Sequence, residues 1–316
     1  MTRNDLIFAL AKLLRASHED IQKLILTAPY QYKHYKIKKR TGGYRDIYHP
    51  TASLKAVQRW LVSNCFLHLM IHPSVFSYRE GVGIRQHASQ HLHSNFLLRI
   101  DFKDFFPSID QSWVLDFFYQ EVNAGRLPIQ LETVPTLARL VCRFAKEEKT
   151  MALSIGAPSS PLLSNAMLFA LDQDMDEYCR AHDCVYTRYA DDIYISTKHP
   201  NILSGIRDLL TSKILEFTPK LVINDKKTIN VSKKIKRVVT GLILTPDRQV
   251  SLGRNLKRSI KTKIYLFTHG QLPVDEVEHL RGLVAYASDA EAVFYDALIH
   301  KFGSASIDRL LNRKKN

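Results

Sequence analysis

The chain has 316 residues, 45% of them hydrophobic, with a formal charge of +14 and a pI of about 9.5. That hydrophobic share suits a globular core, and the length allows one large domain or two to three smaller ones. The charge surplus points to a polyanionic partner, nucleic acid before membrane, and no run of eighteen apolar residues exists to span a bilayer.

Residues 1–28 read as one or two short helices ended by Pro29, with Leu6, Leu10, Leu13 and Leu14 on one face. Asp5 and Lys12 interrupt the apolar positions, unlike a signal peptide. Residues 30–50 look like two strands joined at Thr41-Gly42-Gly43. Lys38, Lys39, Arg40 and Arg45 then lie near a hairpin tip able to fold over a triphosphate; a solvated basic hairpin is the alternative. Residues 51–70 carry Leu54, Val57, Trp60, Leu61 and Leu69 at helical spacing. His87, His91 and His93 are close together but lack the Cys or acidic companions of a zinc site.

In Phe96–Lys103, Phe96, Leu98, Ile100 and Phe102 alternate on one face of a strand, and Leu97, Arg99, Asp101 and Lys103 occupy the other. A carboxylate in so apolar a strand needs a partner or a metal. Ser108 or Asp110 can cap the next helix, which holds Trp113, Leu115 and Phe118. A polar loop and a helix through Leu137, Leu140, Val141 and Phe144 follow. Ser154-Ile155-Gly156-Ala157-Pro158-Ser159-Ser160-Pro161 is a loop leading to a helix with Ser at its N-cap and Pro at its first position.

Val185–Arg188 and Ile193–Ser196 read as strands flanking Tyr189-Ala190-Asp191-Asp192. Two adjacent carboxylates at a hairpin tip repel unless a cation sits between them. They make a seat for Mg²⁺, which prefers oxygen ligands, or else an exposed polar turn. A helix over 200–217 precedes Lys226 and Lys227, and Val238–Leu244 reads as a strand. A composition change near Pro246 marks a boundary. Beyond it, Leu252, Leu256, Ile260, Ile264 and Phe267 form an apolar stripe, and Arg254, Lys257, Arg258 and Lys261 a basic one suited to tracking phosphates. The four cysteines lack metal-site spacing and fit a reducing cytoplasm.

Asp101 together with Asp191 and Asp192, brought together on adjacent strands, could serve two Mg²⁺ ions in phosphoryl transfer. Tyr-Ala-Asp-Asp, preceded by Asp-Phe-Lys-Asp-Phe-Phe-Pro and Gly-Ala-Pro-Ser-Ser-Pro, resembles the reverse transcriptases, and more closely the bacterial retron enzymes, from about residue 30 to 245. The resemblance implies an α+β right-hand polymerase with fingers over 1–95, palm over 96–245 (part of the fingers lying before residue 160) and a small helical, basic thumb over 246–316. It implies Asp101 and Asp191 as main metal ligands, assisted by the Phe102 carbonyl and Asp192. Lys38 and Arg45 would grip the incoming deoxynucleoside triphosphate, with Gly156 and the amides near Asp104 and Phe105 beneath it. Phe106 would exclude a ribose 2′-hydroxyl, and Lys226 or Lys227 would protonate pyrophosphate.

Val239-Thr240-Gly241 matches a retron signature near the primer terminus or thumb junction, and with Tyr189 and His91 is expected to contact nucleic acid. Two departures stand out: Ser154-Ile155 replaces the usual Pro-Gln, and only Ala88 and His91 match an Asn-Ala-x-x-His element. The resemblance further implies a cognate non-coding RNA, priming from an RNA 2′-hydroxyl to give branched RNA–DNA (msDNA), a bacterial cytoplasmic setting, and anti-phage defence with an effector protein. Alternatives are an intron-derived or abortive-infection reverse transcriptase, or a catalytically silent RNA-binding scaffold. The intact acids and Phe106 argue against the scaffold, which has no use for clustered acids facing a polyanion.

Overall fold

The computed structural model describes residues 1–38, 42–145, 149–218 and 220–312. Lys39, Arg40 and Thr41 of the expected hairpin tip lie outside them. At the N-terminus, α1 (Arg3–Leu14) and α2 (His18–Thr27) each begin with a reciprocal cap, Thr2 with Asp5 and Ser17 with Asp20. Leu6, Ile7 and Leu10 carry the burial of α1, while Leu13 is exposed. Strands β1 (Tyr32–Lys38) and β2 (Tyr44–Pro50) form an antiparallel ribbon, exposed toward its tip. Next come α3 (Ala52–Asn64) and the short α4 (Ile84–Ser89).

The central strand is β3 (Phe96–Lys103). It is followed by α5 (Phe105–Ser108), α6 (Gln111–Asn123, capped by Asp110) and α7 (Val134–Val141). Phe144, read from the sequence as helical, lies instead in a small hairpin of β4 (Arg143–Ala145) and β5 (Thr150–Ala152). The helix expected after the Gly156 loop is two, α8 (Ser160–Met167) and α9 (Phe169–Ala181). Pro161 lies in the first turn of α8 as expected, but the Ser159 hydroxyl makes no cap.

The sheet is completed by β6 (Cys184–Tyr189) and β7 (Asp192–Thr197), then, after α10 (Ile202–Phe217), by β8 (Val222–Ile223) and β9 (Ile229–Ser232). β3 pairs antiparallel with β7 on one side, and with β9 and β8 on the other. Alternation along β3 gives this sheet two different faces. Leu98, Ile100 and Phe102, with Ile193 and Ile195, join the large core made with the N-terminal and central helices. Leu97 and Tyr194 on the opposite face join a second core.

That second core is built by β10 (Arg237–Val239), β11 (Leu242–Leu244), β12 (Val250–Ser251) and four helices, α11 (Arg254–Thr268), α12 (Val274–Ala290), α13 (Ala292–Phe302) and α14 (Ser304–Leu311). Because β10, β11 and β12 form one sheet, packing of the C-terminal part begins at Arg237, ahead of the composition change at Pro246. All four cysteines are buried and unpaired. Among the described residues no helix is long and apolar enough to cross a membrane.

Candidate active site

The antiparallel register sets Asp101 of β3 directly opposite Asp192 of β7. Opposed residues in such a ladder have Cα atoms roughly 4.5–5.5 Å apart and side chains on the same face. The Phe102 amide donates to the Asp191 carbonyl (3.2 Å), so the tip of the β6–β7 hairpin is stitched to the end of β3. Ninety residues of sequence separation collapse here into neighbouring positions.

Each acid has its own environment. Asp101 is 5% exposed and accepts from Lys227 Nζ at 2.9 and 3.0 Å and from Asn224 Nδ2 at 2.9 Å. Asn224 and Lys227 belong to the turn between β8 and β9, whose Asn224 amide donates to the Asp101 carbonyl. No hydrogen bond or ion pair joins Lys226 to these acids among the described residues, which separates the two lysines. Asp192 receives both arms of the Arg99 guanidinium, at 3.0 and 2.9 Å. Burial nevertheless pushes its pKa up to about 6, with Arg99 opposing and Asp191 reinforcing the rise. Burial also raises Asp191; Asp101 adds to that rise, while Lys227 and Arg45 oppose it.

The turn carrying the acids rests on a buried scaffold that the sequence reading missed. Arg188 and Asp172 are both fully buried. Arg188 donates to Asp172 (2.7 and 2.6 Å), to the Asn165 side chain (3.0 Å) and to the Ala190 carbonyl (3.1 Å). Tyr186 also donates to Asp172 (2.7 Å). Ala190 has a left-handed backbone (φ 56°), and its amide donates to Ser77 Oγ (2.8 Å). Residues 74–76 extend the sheet past β6, through Arg188 N to Ser74 O and Phe76 N to Arg188 O. The signal was present: an arginine inside an otherwise apolar strand needs an anionic partner as much as Asp101 does.

Other expected positions distribute unevenly. Lys38 pairs with Tyr44 and Arg45 with Ile37, so Lys38 and Arg45 stand on opposite faces of the ribbon; Arg45 is the one whose charge is felt at Asp191. Asp104 (φ 43°) turns the chain out of β3 and is exposed. Phe105 is buried on Phe102, while Phe106 is half-buried, tilted against Phe105 with ring centres 5.3 Å apart. Gly156 has φ +104°, and a Cβ there would meet the Tyr48 carbonyl at 3.1 Å. Its loop is docked on β2: the Tyr48 amide donates to Ile155 O (3.1 Å) and Ser154 Oγ to Tyr48 O (3.0 Å). The glycine is thus required by backbone approach, and Ser154 and Ile155, which stand in place of the expected Pro-Gln, hold the ribbon.

Two of the expected nucleic-acid contacts, His91 and Val239, are internal instead. His91 is fully buried, with Nε2 2.8 Å from Thr187 Oγ1 and Nδ1 2.7 Å from Ser196 Oγ; it has no surface to offer. Burial holds His91 and His87 neutral, His87 with its pKa down to about 3. Tyr189 is half-buried and stacks on His87. Val239 is fully buried. Thr240 (φ 45°) and Gly241 (φ 86°) make the β10–β11 turn, and Thr240 N donates to Tyr194 OH (3.3 Å), joining the second core to the sheet. On α11, Arg254 and Arg258 are exposed, whereas Lys257 and Lys261 lie over the Phe294 ring and Lys257 pairs with Glu291 (2.5 Å).

Asp101, Asp191 and the Phe102 carbonyl offer the oxygen donors that suit a hard cation, and Mg²⁺ commonly takes only one or two carboxylates besides substrate phosphates. Burial raises Asp191 and Asp192 despite the cations near them, and a bound cation would favour their ionised forms. Among the described residues no three acidic, His or Cys groups converge as a metal cluster; Asp101 is paired with Lys227 and Asp192 with Arg99.

The family described as reverse transcriptase (RNA-dependent DNA polymerase) matches residues 37–244. Retron Ec83 reverse transcriptase of Escherichia coli is 33% identical over 299 residues, spanning 93% of this chain and 94% of the relative. Retron Ec86 reverse transcriptase of the same organism is 32% identical, spanning 92% and 86%. Among solved structures, apo telomerase of Candida tropicalis aligns with a TM-score of 0.50 at 13% identity, covering 90% of this chain and 58% of that one. The chain thus spans under two thirds of the telomerase and shares its fold alone. With two acid-bearing strands paired in one sheet and retron relatives matched over most of their length, this chain belongs to the reverse transcriptases, RNA-directed DNA polymerases, and among them to the retron enzymes.

Proposed function

We propose that the chain copies part of a structured non-coding RNA into single-stranded DNA, primed from an RNA 2′-hydroxyl to give a branched RNA–DNA, in a bacterial cytoplasm and in anti-phage defence with an effector protein. The observation that carries the polymerase chemistry is the register placing Asp101 opposite Asp192, with the Phe102 amide on the Asp191 carbonyl. The branched product and the defence role are what the resemblance to the retron enzymes implies. Fingers over 1–95, a palm over 96–245 and a thumb over 246–316 form the hand, β10 and β11 packing with the thumb.

Asp101 and Asp191 would hold two Mg²⁺ ions with the Phe102 carbonyl, and Asp192 assists from its Arg99 clamp. Bound there, the ions supply a more acidic primer hydroxyl and neutralise the triphosphate. Arg45, and Lys38 from the other face of the ribbon, close over the deoxynucleoside triphosphate, which the amides near Asp104 and Phe105 support. Phe106 blocks a 2′-hydroxyl. Lys227 rather than Lys226 donates the proton to pyrophosphate, since its ammonium already reaches Asp101. Arg254 and Arg258 are the exposed phosphate contacts of α11, with Lys257 and Lys261 secondary.

The test is purification with bound nucleic acid followed by separate DNase and RNase digestion, alongside an Asp191→Ala variant. A product sensitive in part to each nuclease, and absent in the variant, is expected. A pure-RNA cargo with normal incorporation by the variant would refute the assignment.

A further inference from the structure

The end of the sheet opposite the acids is built as a basic shelf. One row of residues crosses four strands there: Cys184, Thr197, Phe96 and Ser232 are in register on β6, β7, β3 and β9. One step past that row lie Asp183, Lys198, Asn95 and Lys233. Asn95 ties three of these segments together: its amide donates to Thr197 O (2.8 Å), its side chain to Lys198 O (3.1 Å), and its carbonyl accepts from Lys233 N (2.6 Å). Lys234 and Lys236 continue the same loop, and all four lysines are exposed. None has an ion-pair partner among the described residues. Asp183, across from Lys198, lies 3.9 Å from His199 and makes no ion pair with the four lysines.

Beneath the loop, Arg237 is only 3% exposed, donates to the Ser94 carbonyl, and has no carboxylate partner among the described residues. Burial lowers its pKa, the mark of a cation held without compensation. Flanking strands place Lys198 and Lys233 about 10 Å apart across β3. Like charges gathered on rigid backbone repel one another unless a polyanion spans them. Six positions of chain separate Asn95, at the level of the lysines, from Asp101, about 20 Å when extended, a length that a nucleic acid lying along the enzyme covers easily.

We propose that Lys198, Lys233, Lys234 and Lys236 form a second nucleic-acid site, which grips the phosphate backbone of a duplex stem in the template RNA, away from the reacting end. This rests on the RNA-copying reading above. The stem is held by charge, independent of its sequence, and anchors the RNA while its single-stranded part is threaded past the acids.

The test compares the full chain with a variant carrying Lys198→Gln, Lys233→Gln, Lys234→Gln and Lys236→Gln, and with the matching four Lys→Arg changes. The probes are a labelled RNA hairpin with a single-stranded tail, a stemless RNA template with a short DNA primer, and vesicles of phosphatidylglycerol. The Gln variant should bind the hairpin on the order of tenfold more weakly, with a salt slope shallower by roughly 2–4. It should bind and extend the stemless pair at the parental rate, and the Arg variant should behave as the parent. An unchanged hairpin slope overturns the proposal. So does equal weakening on the stemless pair, which would assign the lysines to the catalytic cleft, or a loss confined to vesicle binding, which would assign them to a membrane. A parent that extends no primer refutes the polymerase reading instead, and the hairpin slope still judges the shelf.

Discussion

Lys227 places its ammonium within 3.0 Å of both carboxylate oxygens of Asp101, the same oxygens that a metal ion would need. A lysine there both neutralises the acid and competes with a cation for it. Lys227→Met should therefore tighten Mg²⁺ binding to the free enzyme while slowing incorporation, on the order of 10²-fold if it serves as the general acid. Lys226→Met should do neither. Metal titration and single-turnover incorporation separate the two lysines.

Asp192 has a folded-state pKa of about 6 against an ordinary value near 3.9. Between these values the folded protein binds more protons than the unfolded chain, so stability falls as pH rises from about 4 to about 6. For this group the loss is at most about 3 kcal/mol. Asp191, shifted the same way, adds to it. Mg²⁺ favours the ionised acids and should flatten this dependence, while metal affinity should rise across the same window. Chemical denaturation over that range, with and without Mg²⁺, measures it; a stability that climbs with pH here would contradict the environment described for Asp192.

Arg188 supports the turn rather than touching substrate. Arg188→Met strands the buried Asp172 and should cost about 3–5 kcal/mol. Arg188→Met combined with Asp172→Leu should recover much of that loss, since no charge is left uncompensated. Incorporation should stay depressed in the double variant, because the Ala190 carbonyl still lacks its donor and the turn bearing Asp191 keeps only its Ser77 and Phe102 bonds. Denaturant melts paired with kcat measurements distinguish stability from positioning; full recovery of kcat would make Arg188 purely structural.

Gly156→Ala should destabilise the protein by roughly 1–3 kcal/mol, from a backbone at φ +104° and contact with the Tyr48 carbonyl. The ribbon carrying Arg45 loses its seat, so KM for deoxynucleotide should rise. Ser154→Ala, which removes one hydrogen bond to Tyr48 O, should lower stability by about 1 kcal/mol. Melting temperatures and KM values report both.

Phe106→Ala should relax discrimination against ribonucleotides by 10-fold or more, on the scale of roughly 1–3 kcal/mol for a packing contact, with deoxynucleotide incorporation affected less. Competition between matched deoxy- and ribonucleotides measures the ratio. An unchanged ratio would remove the steric role from this half-buried ring.

What was legible in the chain was local. The β3 alternation, the Asp110 cap, the Asp191-Asp192 hairpin and the family motifs each depend on residues a few positions apart, where period and turn chemistry operate. Packing between distant segments decided the rest. Whether Lys226 or Lys227 meets Asp101 depends on the β8–β9 turn, and Lys38 and Arg45 part company because of the ribbon register. His91 and Val239 carry family signatures yet lie buried, since the second core closes over that face of the sheet. Arg188 finds Asp172 on a neighbouring helix. Sequence determines which side chains are available and what each requires; only the folded chain decides which partner meets the need, because burial and hydrogen-bond geometry are properties of segments brought together.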